Sequence, residues 1–319
     1  MSDKYIFGID VGGTAVKIGL FCGSGAQSGK PILQCSIPTR TENAGAAVLP
    51  DIAQALKGLL SEAGASFADV TGIGIAVPGP VLEGHIVNRC VNLGWGVVDV
   101  ADELYRLTGV KNVKAANDAN AAALGEHLAG AAAGVREAVM LTLGTAVGGA
   151  LIHNGKIVEG AFGAAGEVGH MIMDLNENVP CSCGGRGHLE QYASGRGVVY
   201  VAKKILEESA GPSQLRGREN ITPKDVFDCA KAGDALALRA ADTACEMLGR
   251  ACAYISCVFD PEMFVIGGGV SAAGEILTEG IRKYFKQYAF HASADAWFVL
   301  AKLGNDAGIY GAAGLIGNV

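Results

Sequence analysis

Residues 4–22, Lys4-Tyr-Ile-Phe-Gly-Ile-Asp-Val-Gly-Gly-Thr-Ala-Val-Lys-Ile-Gly-Leu-Phe-Cys22, decide how the rest of the chain is read. An apolar run ends at Asp10, a Gly12-Gly13-Thr14 turn follows, and a second run passes through Ile18 and Leu20. This spacing predicts a hairpin closed by a polar glycine turn. Beyond it lie a β-like run at Ile32 to Ile37, a helical period from Ala46 to Ala63, and a buried strand from Gly72 to Val77 that stops at Pro78. Strands and helices alternate to about Asp118. The same order then returns: an apolar strand from Ala138 to Leu143, a glycine turn from Gly144 to Gly149, a strand through Ile152, helices, and a buried strand, Met263 to Ile266, ending in Gly267-Gly268-Gly269. Two halves with one plan predict a duplicated α/β chain with a ligand cleft between the halves. The polar stretch from Glu207 to Lys224 reads as a surface connection between helices.

Composition supports a globular reading and narrows function. The chain has 319 residues, enough for two domains, and half of them are hydrophobic against 18% charged, which excludes a disordered chain. Acidic residues outnumber basic ones, 32 to 25, so no global field draws the protein to nucleic acid or anionic lipid. The start, Met-Ser-Asp-Lys-Tyr-Ile-Phe, shows no basic segment followed by an apolar stretch, so a soluble cytoplasmic protein is expected. Nine cysteines are an odd number in a chain too large to need disulfides, and only Cys181 and Cys183 stand close together. The other seven, Cys22, Cys35, Cys90, Cys229, Cys245, Cys252 and Cys257, read as packing residues.

Both glycine turns place backbone N–H groups at a strand end, which suits phosphate oxygens, although either alone reads first as an ordinary hairpin turn. Neither matches a P-loop or a dinucleotide fingerprint. Asp118 opens an Ala-rich helical pattern, where it reads as a helix cap. Asp10 could support its turn or hold Mg²⁺ against phosphate. Glu167 and His170, three residues apart, share a face on a helical turn. Cys181 and Cys183, with His170 before them and His188 after, supply four soft or borderline ligands in a loop too glycine-rich to be core; that set suits tetrahedral zinc.

Six motifs in order, Asp10-x-Gly-Gly-Thr14 with Lys17, Val77-Pro-Gly79, Asn117-Asp118-Ala-Asn120, Gly166-Glu-Val-Gly-His170, Cys181-x-Cys-Gly-x-x-Gly-His-x-Glu190 and Gly267-Gly-Gly269, resemble the ROK family of the sugar kinase, actin and heat-shock ATPase superfamily. Val91-Asn-Leu-Gly-Trp95 is most similar to the family's bacterial glucokinases. The resemblance implies a two-domain actin-like α/β fold with an interdomain cleft, residues 1–118 joined by a C-terminal helix at 305–319, and residues 119–304 carrying the zinc loop. It implies ATP-dependent phosphorylation of a hexose, glucose before N-acetylmannosamine, fructose or allose, in a cytoplasmic homodimer without nucleic-acid or membrane partners. Within the family a sugar-sensing regulator is the other class, but such regulators carry a DNA-binding segment ahead of a motif that here begins at Asp10.

Carried over residue by residue, the resemblance makes Asp118 the general base. Gly79, Asn117, Glu167, His170 and Glu190 join Asp118 at the sugar. Asp10 becomes the Mg²⁺ partner, Gly12, Gly13, Thr14, Lys17, Gly144 and Thr145 approach the phosphates, and Gly267, Gly268 and Gly269 flank adenosine. His170, Cys181, Cys183 and His188 hold structural zinc. Two positions depart from the family pattern: Ala146 stands where glycine is usual, and His188 where cysteine is usual.

Overall fold

The computed structural model describes residues 4–23 and 29–317, so residues 318 and 319 of the expected C-terminal helix lie outside the description. Two compact units emerge, and the chain passes between them four times. The first gathers residues up to Val135, Leu151–Ala165 and the chain from Lys302 on; the second gathers Arg136–Ala150 and Gly166–Ala301.

In the first unit the quoted stretch forms β1 (Tyr5–Val11) and β2 (Ala15–Cys22), an antiparallel hairpin in which Asp10 lies opposite Lys17. It is followed by β3 (Leu33–Pro38), the short turn α1 (Glu42–Gly45), α2 (Val48–Glu62), β4 (Val70–Val77), β5 (Val81–Leu82), β6 (Ile86–Cys90), β7 (Trp95–Asp99), α3 (Val100–Thr108), β8 (Val113–Asn117) and α4 (Asp118–Ala129). The main sheet has the order β3-β2-β1-β4-β8, and β5-β6-β7 make a small second sheet. On one face, Val48, Ile52, Leu56 and Leu60 recur at helical spacing along α2 and are buried in one cluster with Phe7, Ile9 and Ile18 of the hairpin and Ile73 and Ile75 of β4.

The second unit is built around β9 (Glu137–Leu143) and β10 (Val147–His153), the latter carrying the chain across to β11 (Lys156–Ile157). Then come α5 (Glu190–Ala193), α6 (Gly195–Glu208), α7 (Pro223–Lys231), α8 (Ala235–Phe259), β12 (Met263–Gly267), α9 (Glu275–Tyr288), β13 (Trp297–Leu300) and, back in the first unit, α10 (Ala307–Gly317). The sheet order β11-β10-β9-β12-β13 repeats the plan of the first sheet, as the doubled sequence pattern predicts. Phe264, Phe285 and Phe298 pack at centroid separations of 5.0 to 5.7 Å between β12, α9 and β13. The stretch from Glu207 to Lys224 runs from the last turn of α6 to the first turn of α7, with residues 209–222 making the expected connection between the helices. Among the described residues, no helix is long and apolar enough to cross a membrane.

The other face of the first sheet carries α10, and there the fit is backbone to backbone. A Cβ added to Gly8 of β1 would fall on the carbonyl oxygen of Ile309, and one on Gly74 of β4 on that of Ala312. Gly125 of α4 meets Ala307 in the same way, and Gly311 meets the carbonyl of Ala121. Glu126, fully buried on α4, fastens the incoming chain. Its carboxylate accepts the N–H groups of Ala131 at 2.7 Å, Lys302 at 2.9 Å and Leu303 at 2.7 Å, three charge-assisted bonds that compensate its burial.

Two glycine substitutions separate close approach from helix propensity. Gly74→Ala is expected to cost about 3 kcal/mol or more, because a backbone carbonyl cannot move aside as a side chain can. Gly58→Ala, on the exposed side of α2 with nothing within 4 Å, is expected to gain about 1 kcal/mol. Urea unfolding of both variants measures the two effects.

Candidate active site

Because β1, β4 and β8 are parallel, their carboxyl ends fall on one edge of the first sheet. That edge carries Asp10, then Pro78-Gly79, then Asn117-Asp118, and such edges are where open α/β sheets bind ligands. The helix cap, however, is Asn117 and not Asp118. Its Oδ1 accepts from Ala119 N at 2.9 Å and Asn120 N at 3.4 Å, while its Nδ2 donates to Gly79 O at 3.3 Å. Asn117 has the extended backbone a cap requires, whereas Asp118 is already the first helical residue. Asp118 is exposed at the N-terminal end of α4, and its Oδ1 also accepts from Ala119 N at 2.8 Å.

Asp10 is the electrostatically costly member of this edge. Burial, then the charge of Asp118, push its carboxyl up to about 6; Lys17 opposes the rise and Asp306 adds to it. Gly308 of α10 stands against it, where a Cβ would lie 2.6 Å from Oδ2. Lys17 is engaged within the fold, donating to Asn305 O at 2.6 Å and lying 3.7 Å from Asp306 Oδ1. Gly13 and Thr14 are exposed at the hairpin turn, and Gly12 is tied down by Ala15 and Thr39.

In the second unit β9 and β12 are also parallel, so Gly144-Thr145 and Gly267-Gly268-Gly269 leave from one edge. Gly268 has φ +83° and a Cβ there would lie 2.6 Å from the Leu143 backbone, so no other residue fits. A cavity of about 780 Å³ opens beside Gly144, Thr145 and Gly269. Ala146 accepts Gly144 N at 3.0 Å and is not among the residues with positive φ, which explains why this turn accommodates a Cβ.

The loop around Cys181 brings the four expected metal ligands together. One ligand atom each from His170, Cys181, Cys183 and His188 lies within 4.8 Å of the others. Cys183 Sγ is 3.5 Å from Cys181 Sγ and 3.3 Å from His188 Nδ1, close to the edges of about 3.3 to 3.8 Å of a tetrahedron with zinc bond lengths. The imidazole of His188 fits because Gly185 has no side chain: a Cβ there would lie 2.6 Å from Nε2. Glu167 and His170 bracket a 3₁₀ turn, Val168–His170, with their side chains 3.8 Å apart and both exposed. Glu190 accepts from Cys181 Sγ at 2.7 Å and Ser182 Oγ at 3.4 Å.

Not every cysteine packs as expected. Cys90, Cys229, Cys245 and Cys252 are buried, but Cys257 is exposed because it falls on the outer face of α8, and Cys22 and Cys35 are half-buried. Residues missed from the sequence are Gly308 and Asp306, beside Asp10, and Arg196, on the wall of the large cavity. The spacing of Gly308, Gly311 and Gly314 along one helix stripe was the available signal for the first.

The sequence profile of the ROK family matches residues 6–318. The glucokinase of Halalkalibacterium halodurans is 39% identical, covering 99% of this chain and 96% of its own. That of Thermotoga maritima is 35% identical, covering 98% and 96%. A ROK family glucokinase from Streptomyces griseus, solved with glucose and AMPPNP, superposes with a TM-score of 0.76 at 31% identity, covering 98% of each chain.

The raised Asp10 value gives a stability prediction with a definite sign. A folded value near 6 against 3.8 means the folded state holds this proton more tightly than the unfolded chain. The resulting stabilisation is full below pH 4, drains away as pH rises to about 6, and is absent above. It amounts to at most about 3 kcal/mol. Asp10→Asn is therefore expected to melt higher than the parent at pH 8 in chelator-treated buffer, with the gap closing towards pH 4, as thermal melts across that range will measure.

Proposed function

The chain belongs to the ROK family, and we propose that it transfers the γ-phosphoryl group of ATP to the 6-hydroxyl of a hexose, with glucose the first candidate. The observation that carries this reading is the pair of carboxylates on one sheet edge: exposed Asp118 at a helix N-terminus and Asp10 close enough for the charge of Asp118 to raise its pKa. Two carboxylates in different settings can take different roles. Asp118, at the N-terminus of α4, accepts the proton of the sugar hydroxyl as that oxygen attacks phosphorus. Asn117 and Gly79 fix its position through the cap and the Gly79 carbonyl, and lie at the sugar with it. Glu167, His170 and Glu190 accept hydroxyl hydrogens, so a sugar missing one hydroxyl leaves a carboxylate unpaired.

Asp10 fits a divalent cation because its charge is buried among other acids. Mg²⁺ bound there supplies neutralisation of the phosphate charge. Gly12, Gly13 and Thr14, with Gly144 and Thr145, offer N–H groups to the phosphates, Lys17 holds the hairpin to Asn305, and Gly267 to Gly269 bound the adenosine side. The loop set of His170, Cys181, Cys183 and His188 suits structural zinc, since two thiolates and two neutral imidazoles balance its charge and no coordination position is left open. Held this way, His170 keeps one ring nitrogen for the sugar.

Three measurements test the reading. Asp118→Asn is expected to lower kcat roughly 10²- to 10⁴-fold while glucose binding by calorimetry persists; near-normal turnover would move the base to another residue. A coupled assay across glucose, mannose, fructose, N-acetylglucosamine and N-acetylmannosamine is expected to favour glucose. Elemental analysis of protein purified without chelator or affinity-tag histidines is expected to give one zinc per chain, weakened by His188→Ala; a zinc-free, fully active enzyme would remove the structural metal.

A further inference from the structure

Arg196 follows Gly195 at the start of α6, and Gly195 N donates to Gly144 O at 2.8 Å, so the residue is tethered to the glycine turn that ends β9. It lines two cavities at once. The larger, about 780 Å³, is bounded by Gly144 and Thr145 and by the apolar side chains of Val199, Ile221, Pro223 and Val270. The smaller, about 260 Å³, is bounded by Thr145, Ala146 and Glu190. Lys224, the other cation on the larger cavity, is paired with Asp228. Arg196 is exposed and makes no hydrogen bond or ion pair among the described residues. A guanidinium has five donors and no acceptor, and its fork matches phosphate oxygens. It stands on the wall common to an apolar cavity, suited to a planar base, and a cavity carrying a carboxylate, Glu190, that repels phosphate and accepts hydroxyls. Charge thus orders the two cavities, donor on the arginine side and acceptor sugar on the glutamate side.

We propose that Arg196 holds the phosphate chain of a nucleoside triphosphate whose base occupies the larger cavity. The assignment rests on the kinase reading above and names a contact which that reading leaves open. Calorimetry on the full chain tests it with four probes: AMPPNP, adenosine, tripolyphosphate and glucose. Arg196→Ala is expected to weaken AMPPNP roughly 10- to 100-fold, with adenosine and glucose affinities unchanged, and Arg196→Lys to recover part of the loss because charge returns without the fork. The gap between parent and Arg196→Ala shrinks at high salt. Retained glucose binding shows that the variant is folded.

Unchanged AMPPNP affinity in Arg196→Ala would overturn the assignment. So would an equal loss for adenosine, which marks a wall residue and not a phosphate contact. Tripolyphosphate bound by the parent as tightly as AMPPNP would overturn the place given to the base. A parent that binds AMPPNP through Arg196 yet phosphorylates no hexose would sink the kinase reading and leave the arginine contact standing, so the two failures are distinguishable.

Discussion

Everything at the candidate site of the first unit depends on how closely α10 lies against β1, β4 and α4. Carbonyl oxygens of Ala121, Ala307, Ile309 and Ala312 occupy the space where Cβ atoms of glycines would otherwise stand. That distance places Gly308 against Asp10, and it brings Asn305 and Asp306 to Lys17 on the neighbouring strand. The carboxylate of Glu126, sharing three backbone N–H groups, holds the entering chain so that the helix starts in register. A contact made of backbone tolerates little repacking, since main-chain atoms have no alternative rotamers.

Asp10 shows what that rigidity is used for. Its carboxylate is kept among acids and partly out of water, an arrangement that weakens the fold at neutral pH and is relieved only by a cation or a proton. Sites that retain such unfavourable charge have generally kept it for binding, and stability is supplied by the surrounding core. Here that core is the α2 face of the sheet, which is apolar throughout and carries none of the proposed site residues.

The order of elements was legible because the hairpin pattern of residues 4–22 and its echo at 138–152 depend on local alternation and on glycine turns. The Cys/His cluster was legible for the same reason: Cys181, Cys183 and His188 are close in sequence, and only His170 had to be brought in. What stayed hidden depends on contacts distant in sequence. Asn117 and Asp118 are both good caps by residue type, and only the backbone angles assign the cap to Asn117. The exposure of Cys257 is a matter of which helical face it occupies. Asp306 and Gly308 meet Asp10 across nearly three hundred residues, and Arg196 gains its place from a hydrogen bond between Gly195 and Gly144. None of these has a local signature beyond the glycine stripe of α10.

The three-segment make-up of the first unit has a consequence for biosynthesis. A ribosome produces the chain in order, so β1 to α4 emerge long before α10, the helix that seals them. The second unit lies almost wholly between these parts and is complete once Ala301 has been made. The nascent first unit therefore waits with its glycine-lined face unsealed while its neighbour is synthesised and can already fold. A translation product that stops before Lys302 would present that face permanently, a ready substrate for chaperones or proteases, whereas a chain that includes α10 seals it.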